Sequence, residues 1–180
     1  MADLAALREP PAVCATPVLR PLPAAARFIL RGNPSVVTAA GAAIGLVMDQ
    51  APCRASQGGA CAALWLGPDE YLLLAPEAEA RAHVLALEEA LRLLPHSLVE
   101  VSHRQTGLEI SGAHAADILN SGCPLDLDPA AFPVGMCTRT VLAKAEIVLW
   151  RTAPEAFRIE VWRSFTDYVV RFLDEAAHEF

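Results

Sequence analysis

Lysine is nearly absent from this sequence: Lys144 stands alone against thirteen arginines in 180 residues. Charged residues make up only 19%, and the net charge is −7. No basic residues cluster, which argues against nucleic acid or an anionic membrane surface as a partner. Cys14, Cys53, Cys61, Cys123 and Cys137 are odd in number and form no CxxC. Such spacing is read as buried, reduced thiols in a cytoplasmic protein rather than a disulfide framework. The longest near-apolar run, Val36 to Met48, is too short to cross a bilayer. The opening MADLAALREP carries an acid early and lacks the apolar core of a secretory signal. Neither GxGxxG nor GxxxxGK[ST] occurs, so no dinucleotide or phosphate loop is expected.

Apolar residues are abundant instead, at 54%. A chain of this length can bury one sizeable core or two smaller fused ones. The apolar excess must fill a deep core or a partner surface. Residues 1–24 carry Pro10, Pro11, Pro17, Pro21 and Pro23 and read as an extended arm, either a loose tail or an arm lying on a neighbouring subunit.

From residue 25 the chain alternates between two periodicities. Arg27 to Arg31 reads as a strand. Asn33 is a candidate N-cap with Pro34 at the first helical position. The helix is expected to run through Val36, Val37, Ala40, Ile44 and Val47, with Gly41 and Gly45 on one face allowing close packing. Residues 49–60 read as a polar loop. Ala63–Leu66 and Tyr71–Ala75 form a hairpin around Gly67-Pro68-Asp69-Glu70. A helix with the stripe Val84, Leu87, Leu91 and Leu94 stops at Pro95, and a strand spans 97–103. The second half repeats the theme: strand 106–111, helix 113–120, loop 121–136, strands 137–143, 146–151 and 156–162, and helix 164–178. In that last helix Ser164 is a candidate N-cap with Asp167 three residues on. Phe165, Tyr168, Val169, Phe172 and Ala176 are expected to be buried.

FILRGNP (28–34) answers LEISGAH (108–114), and LWLGPDEY (64–71) answers LWRTAPEAF (149–157). The halves therefore read as an internal duplication. The expected fold class is α+β: two fused ferredoxin-like units, 25–104 and 105–180, with mainly antiparallel sheets and helices on one face of each.

Chemistry is harder to find. Asp126 and Asp128 could do paired-carboxylate work, but beside Pro129 they read as a solvated turn. His103-Arg104 reads as an interface salt bridge or turn histidine. His103, His114, Cys123 and Cys137 lack zinc-ligand spacing, and Cys123 lacks any nucleophile motif. Trp65, Trp150 and Trp162 read as core or interface anchors. Glu109, Glu146 and Glu160 lie on strands, but alternation alone does not say which faces inward. No catalytic, cofactor-binding or metal residue is assigned.

The blocks SHRQTGLEISG (102–112), ILNSGCPLDL (118–127), FPVGMCTRT (132–140) and FRIEVWRSF (157–165) closely resemble the gamma-subunit family of bacterial heterotetrameric sarcosine oxidases, over about residues 20–178. The resemblance implies a fold like that of the folate-binding glycine-cleavage T protein. It implies a non-catalytic subunit that supports assembly with alpha, beta and delta subunits, chiefly alpha. FAD, FMN, NAD, tetrahydrofolate and zinc would then belong to those other subunits. The complex would demethylate sarcosine oxidatively to glycine, reduce O2 to H2O2, and pass the one-carbon unit to tetrahydrofolate or release formaldehyde. A stand-alone folate-binding or aminomethyltransferase-like module is the alternative. Arginines at strand ends (Arg104, Arg139, Arg151, Arg158 and Arg163) fit a large permanent interface, although a GC-rich genome also favours arginine over lysine. Without a partner, self-association is expected.

Overall fold

The computed structural model describes residues 17–180. In chain order the elements are β1 (Val18–Pro21), β2 (Ala25–Gly32), α1 (Pro34–Ala43), β3 (Ala55–Gly58), β4 (Cys61–Gly67), β5 (Glu70–Pro76), α2 (Ala80–Leu91), β6 (His96–Glu100), β7 (Gln105–Ser111), α3 (Ala115–Asn120), β8 (Cys137–Leu142), β9 (Ala145–Ala153), β10 (Ala156–Trp162) and α4 (Thr166–Ala177). One five-stranded sheet has the order β3-β4-β5-β2-β6, the other β8-β9-β10-β7-β1. Every pairing is antiparallel. The α+β class with two antiparallel sheets is therefore as the sequence pattern indicates.

The sheets lie face to face, with the helices outside. On β5, Tyr71, Leu73 and Ala75 pack under α1 and α2, whereas Leu72 and Leu74 point to the other sheet. On β9, Ile147 and Leu149 pack with Val169 and Leu173 of α4, whereas Val148 and Trp150 meet Leu64 and Leu72 between the sheets. Central strands buried on both faces need apolar residues at every position, which is why Tyr71-Leu-Leu-Leu-Ala75 is an unbroken run.

The two halves match element for element. β2-α1-β3-β4-β5-α2 corresponds to β7-α3-β8-β9-β10-α4, in the same sheet order. β6 returns after α2 to pair with β2; the equivalent edge beside β7 is filled by β1. Residues 18–21 of the Pro-rich arm are thus an edge strand of the chain's own second sheet. Prolines suit such an edge because it needs no inward-directed N–H there. Cys14 and the earlier prolines lie outside the described residues.

Several local expectations need correction. The stretch 49–60 contains β3, which turns into β4 at Gly59, whose φ of 57° is left-handed. Helix α1 begins as expected, with Asn33 Oδ1 accepting from the Val36 N–H at 3.1 Å. It ends early, at Ala43. Gly45 adopts φ 69°, the Leu46 N–H donates to the Gly41 carbonyl at 2.8 Å, and Val47 is exposed. A Cβ on Gly41 would collide with the Leu46 carbonyl. Gly41 is therefore required by the chain's own return, not by a neighbouring element. Strand β6 stops at Glu100, leaving Val101 to Arg104 in a turn. Ser164 lies within a 3-10 turn, and α4 starts without a side-chain cap. Its buried residues are Val169 and Leu173, while Phe165 and Tyr168 are exposed and Phe172 is half-buried.

Candidate functional site: a buried ionic clamp and an inter-sheet cleft

Of Glu109, Glu146 and Glu160, only Glu160 is buried, at 0% exposure. Arg27 on β2 of the opposite sheet donates from Nε to Glu160 Oε2 at 2.6 Å, and Arg158 donates from Nε to Oε1 at 2.8 Å. Arg27 also reaches the Ala25 carbonyl at 2.9 Å and is 3% exposed. Gly107 on β7 leaves room for this clamp: a Cβ there would lie 3.1 Å from Glu160 Oε1. Two guanidinium groups satisfy the one carboxylate, as an ion buried between sheets requires. The clamp joins the two halves of the chain, 133 residues apart. Glu109 instead pairs with Arg20 of β1 at 2.7 Å near the surface, and Glu146 is exposed.

Beside this clamp the sheets part to form a cleft of about 520 Å³. Ile29 and Leu72 line it from the first sheet, Val148 from the second, and Arg104, Gln105 and Trp162 from its β7–β10 end. The Arg104 guanidinium sits over the Trp162 ring, 5.7 Å from its centroid. Arg139 is ion-paired with Glu70 across the sheets. Gln105 is 8% exposed, and its side-chain oxygen has no hydrogen-bond partner.

The residues singled out by sequence fall elsewhere. Asp126 and Asp128 are exposed and cap their own turn: Asp126 Oδ1 accepts from the Asp128 N–H at 2.9 Å, and Asp128 Oδ1 from the Ala130 N–H at 2.8 Å. His103 is exposed in the 101–104 turn. His114 lies 3.3 Å from Asp117 and stacks on Phe180. Cys123 is buried near the Thr140 hydroxyl. Cys137 is buried between the sheets, its thiol directed at the Trp65 carbonyl at 3.7 Å; burial pushes that thiol up to about 12. Among the described residues no three His, Cys, Asp or Glu side chains are grouped to hold a metal ion. Arg151, expected at an interface, is internal. It donates to the carbonyls of Leu127, Phe132 and Pro154 and stacks on Phe157, pinning the 121–136 loop.

One constellation had no sequence signal because Cys61 is 22 residues from His83, although Glu79 and His83 are one helical turn apart. Cys61 Sγ lies 3.7 Å from His83 Nε2, and Glu79 lies 3.2 Å from that same nitrogen. A nucleophile–base–orienter relay needs both imidazole nitrogens. Here one nitrogen serves both neighbours. Burial, reinforced by Glu79, raises the Cys61 thiol above its ordinary value. That is the reverse of nucleophile activation.

Residues 31–179 match the sarcosine oxidase, gamma subunit family. The chain belongs to that family. It is 42% identical over 120 residues to sarcosine oxidase subunit gamma of Corynebacterium sp. (strain P-1), covering 66% of this chain and 58% of that protein. The Arthrobacter sp. subunit gamma is 39% identical over 119 residues. The matched segment thus spans a little over half the length of these curated relatives. In three dimensions the chain superimposes on a chain of the heterotetrameric sarcosine oxidase from Corynebacterium sp. U-96 with a TM-score of 0.84 at 34% identity, covering 91% of this chain and 85% of that one. Glycine cleavage system aminomethyltransferase T from Bartonella henselae shares the fold alone, with a TM-score of 0.67 at 15% identity over 88% of this chain and 45% of that one. The gamma subunit family match takes in Glu160, Arg158 and the cleft residues Arg104, Gln105 and Trp162; Arg27, the cross-sheet half of the clamp, lies just before it.

Proposed function

We propose that this chain is a non-catalytic gamma subunit of a heterotetrameric sarcosine oxidase and acts by supporting its assembly with alpha, beta and delta subunits, chiefly alpha. The observation carrying this reading is the close superposition, at 34% identity, on a chain of such a heterotetramer. The site chemistry is consistent with it. The Glu160 carboxylate, the one buried on a strand among the described residues, is saturated by two arginines, and burial raises the thiols of Cys61 and Cys137 toward the protonated form.

In this reading the complex oxidises sarcosine to glycine, reduces O2 to H2O2, and passes the one-carbon unit to tetrahydrofolate or releases formaldehyde. FAD, FMN, NAD, tetrahydrofolate and zinc are held by the other subunits. The docking surface is the outward row on and before α4. Phe165 packs edge-on to Tyr168, and Tyr168 stacks on Phe172, both pairs with centroids 6.5 Å apart. The exposed Phe165 and Tyr168, backed by half-buried Phe172, favour a permanent partner, which at roughly 2,000 Å² or more would be of the obligate class. The folate-module alternative has weaker support, since Glu160, the only buried strand glutamate among the described residues, is fully engaged.

Co-expression of all four subunits, followed by size exclusion at moderate salt, tests the proposal. The chain is expected to co-elute with alpha, and its omission to abolish a stable oxidase. Elution as a separate monomer, with an active oxidase forming from the remaining subunits, would overturn it.

A further inference from the structure

A short stretch of backbone pairing ties the two sheets together at one corner. Arg54 bridges Met136 in antiparallel sense. The Cys137 N–H donates to the Cys53 carbonyl at 2.9 Å, and the Ala55 N–H to the Gly135 carbonyl at 2.8 Å. Cys53 and Cys137 therefore stand opposite each other. Residues so opposed have Cα atoms about 5.5 Å apart, inside the roughly 4.4–6.8 Å that a disulfide spans. Both thiols are free. They are near enough to interact: after burial, the Cys53 sulfur is the cause that raises the Cys137 thiol. The duplication gives the pair a second mark. Each cysteine stands the same number of residues before the last residue of its hairpin's first strand, Gly58 in β3 and Leu142 in β8. Equivalent residues of the two halves thus meet where the halves join. Cys53 also holds φ 59°, a left-handed value uncommon for a residue with a side chain.

We infer that Cys53 and Cys137 are a reversible redox pair: hydrogen peroxide converts them into a disulfide that locks the two sheets together. Cys53 is half-buried and meets the oxidant first, whereas Cys137 is fully buried and closes the bond. The Cys53 thiolate attacks the peroxide. An S–O bond forms as the O–O bond breaks, and the leaving hydroxide takes up a proton as water. The Cys137 sulfur then attacks the Cys53 sulfur. The S–S bond forms, the S–O bond breaks, and hydroxide leaves with the Cys137 proton as a second water. Two thiols lose two electrons and one peroxide is reduced. Opposed side chains start about 4.5–5.5 Å apart at Cβ, wider than a relaxed disulfide. Closure therefore strains the bond, which keeps it easy to reduce. The Arg27–Glu160 contact already joins the same sheets by charge; the disulfide would add a covalent tie that depends on redox state. This inference is independent of the assembly reading.

The test is treatment of the folded full chain with excess hydrogen peroxide, followed by non-reducing peptide mapping and urea unfolding. The expected product is a link between the peptides bearing Cys53 and Cys137, removed by glutathione without denaturant. The urea midpoint should rise when the wild-type chain is oxidised, because a linked unfolded chain has less freedom. It should not move when Cys53→Ser is oxidised; Cys53 is only half-buried, so that variant keeps its core. Oxidation of Cys53 to a sulfinic acid with Cys137 still a thiol overturns the inference. So does a link that forms only in urea, or a linked chain whose midpoint has not risen.

Discussion

Cys137 shows how a single residue's environment becomes a property of the whole fold. It sits between the sheets with Val148, Trp150 and Leu72. Burial is the main cause that lifts its thiol from 9.0 to about 12, against a smaller lowering by its contact with the Trp65 carbonyl. In the unfolded chain the thiol loses its proton near 9; in the folded chain it keeps it until about 12. Across that window the native state binds more protons, so stability is complete below pH 9 and falls as pH rises toward 12. Cys61 and Tyr71, also raised mainly by burial, act with the same sign. Urea midpoints measured from pH 8 to 11 should therefore decline, and Cys137→Val should make that decline shallower whatever it does to the midpoint at pH 8. A slope identical in wild type and variant would show that the thiol is not held as described. The burial of this cysteine was legible in the sequence from its residue type and spacing. Nothing there hinted at its position between sheets, because that depends on which strand face meets which. Glu160 makes the same point more sharply. Five glutamates lie on strands (Glu70, Glu100, Glu109, Glu146 and Glu160), and only the sheet-to-sheet contact selects the one that meets Arg27.

At the scale of the element, α4 separates what periodicity can and cannot tell. The apolar stripe of the last helix was legible, but its centre was displaced by one residue. The residues sealed against the second sheet are Val169 and Leu173, four apart, whereas Phe165 and Tyr168 face outward. The aromatic side chains drew the pattern toward themselves, since size and apolar character cannot distinguish a core contact from a surface row. Phe172 lies between the two cases: its ring covers Gly122, where a Cβ would come within 2.6 Å of it. Leu173→Ala is expected to cost about 2–5 kcal/mol as a buried leucine. Phe172→Ala should cost less, because part of its ring is already in water and Gly122 can stay covered by neighbouring atoms. Urea unfolding of the two variants gives the ranking. A larger loss for Phe172→Ala would return the helix to the orientation its aromatic spacing implies. The end of α1 departs from its apolar spacing for a related reason. Ile44 and Val47 continue the helical spacing, but the left-handed Gly45 and the return of Leu46 onto Gly41 end the helix first.

At the scale of the whole molecule, the repeat seen in FILRGNP and LEISGAH is a duplication of elements in space, with one exchange. β6 completes the first sheet from inside its own half, and β1 completes the second from the other end of the chain. Sequence could not show this exchange, because four residues rich in extended-chain signals carry no register. β1 pairs Val18, Leu19, Arg20 and Pro21 with Ser111, Ile110, Glu109 and Leu108, the Leu22 N–H adds a bond to the Gly107 carbonyl at 2.9 Å, and Leu19 packs against the second core. The Arg20–Glu109 ion pair is exposed on the arginine side and contributes little, by the usual worth of such pairs. The strand's weight lies in the ladder and in covering β7. Removing residues 1–22 leaves the β7 edge bare along Leu108 and Ile110, and a bare, apolar, regular edge invites pairing with another chain. The truncated protein is therefore expected to melt at lower temperature and to elute from size exclusion as dimers or larger species, in proportion to concentration. Polar substitution of the outward residues Val18 and Arg20 to Thr, which keeps the backbone ladder, should leave both properties near those of the full chain. A truncated chain that stays monomeric with an unchanged melting temperature would mean that β1 merely rests on β7, and that the second half closes its sheet with four strands.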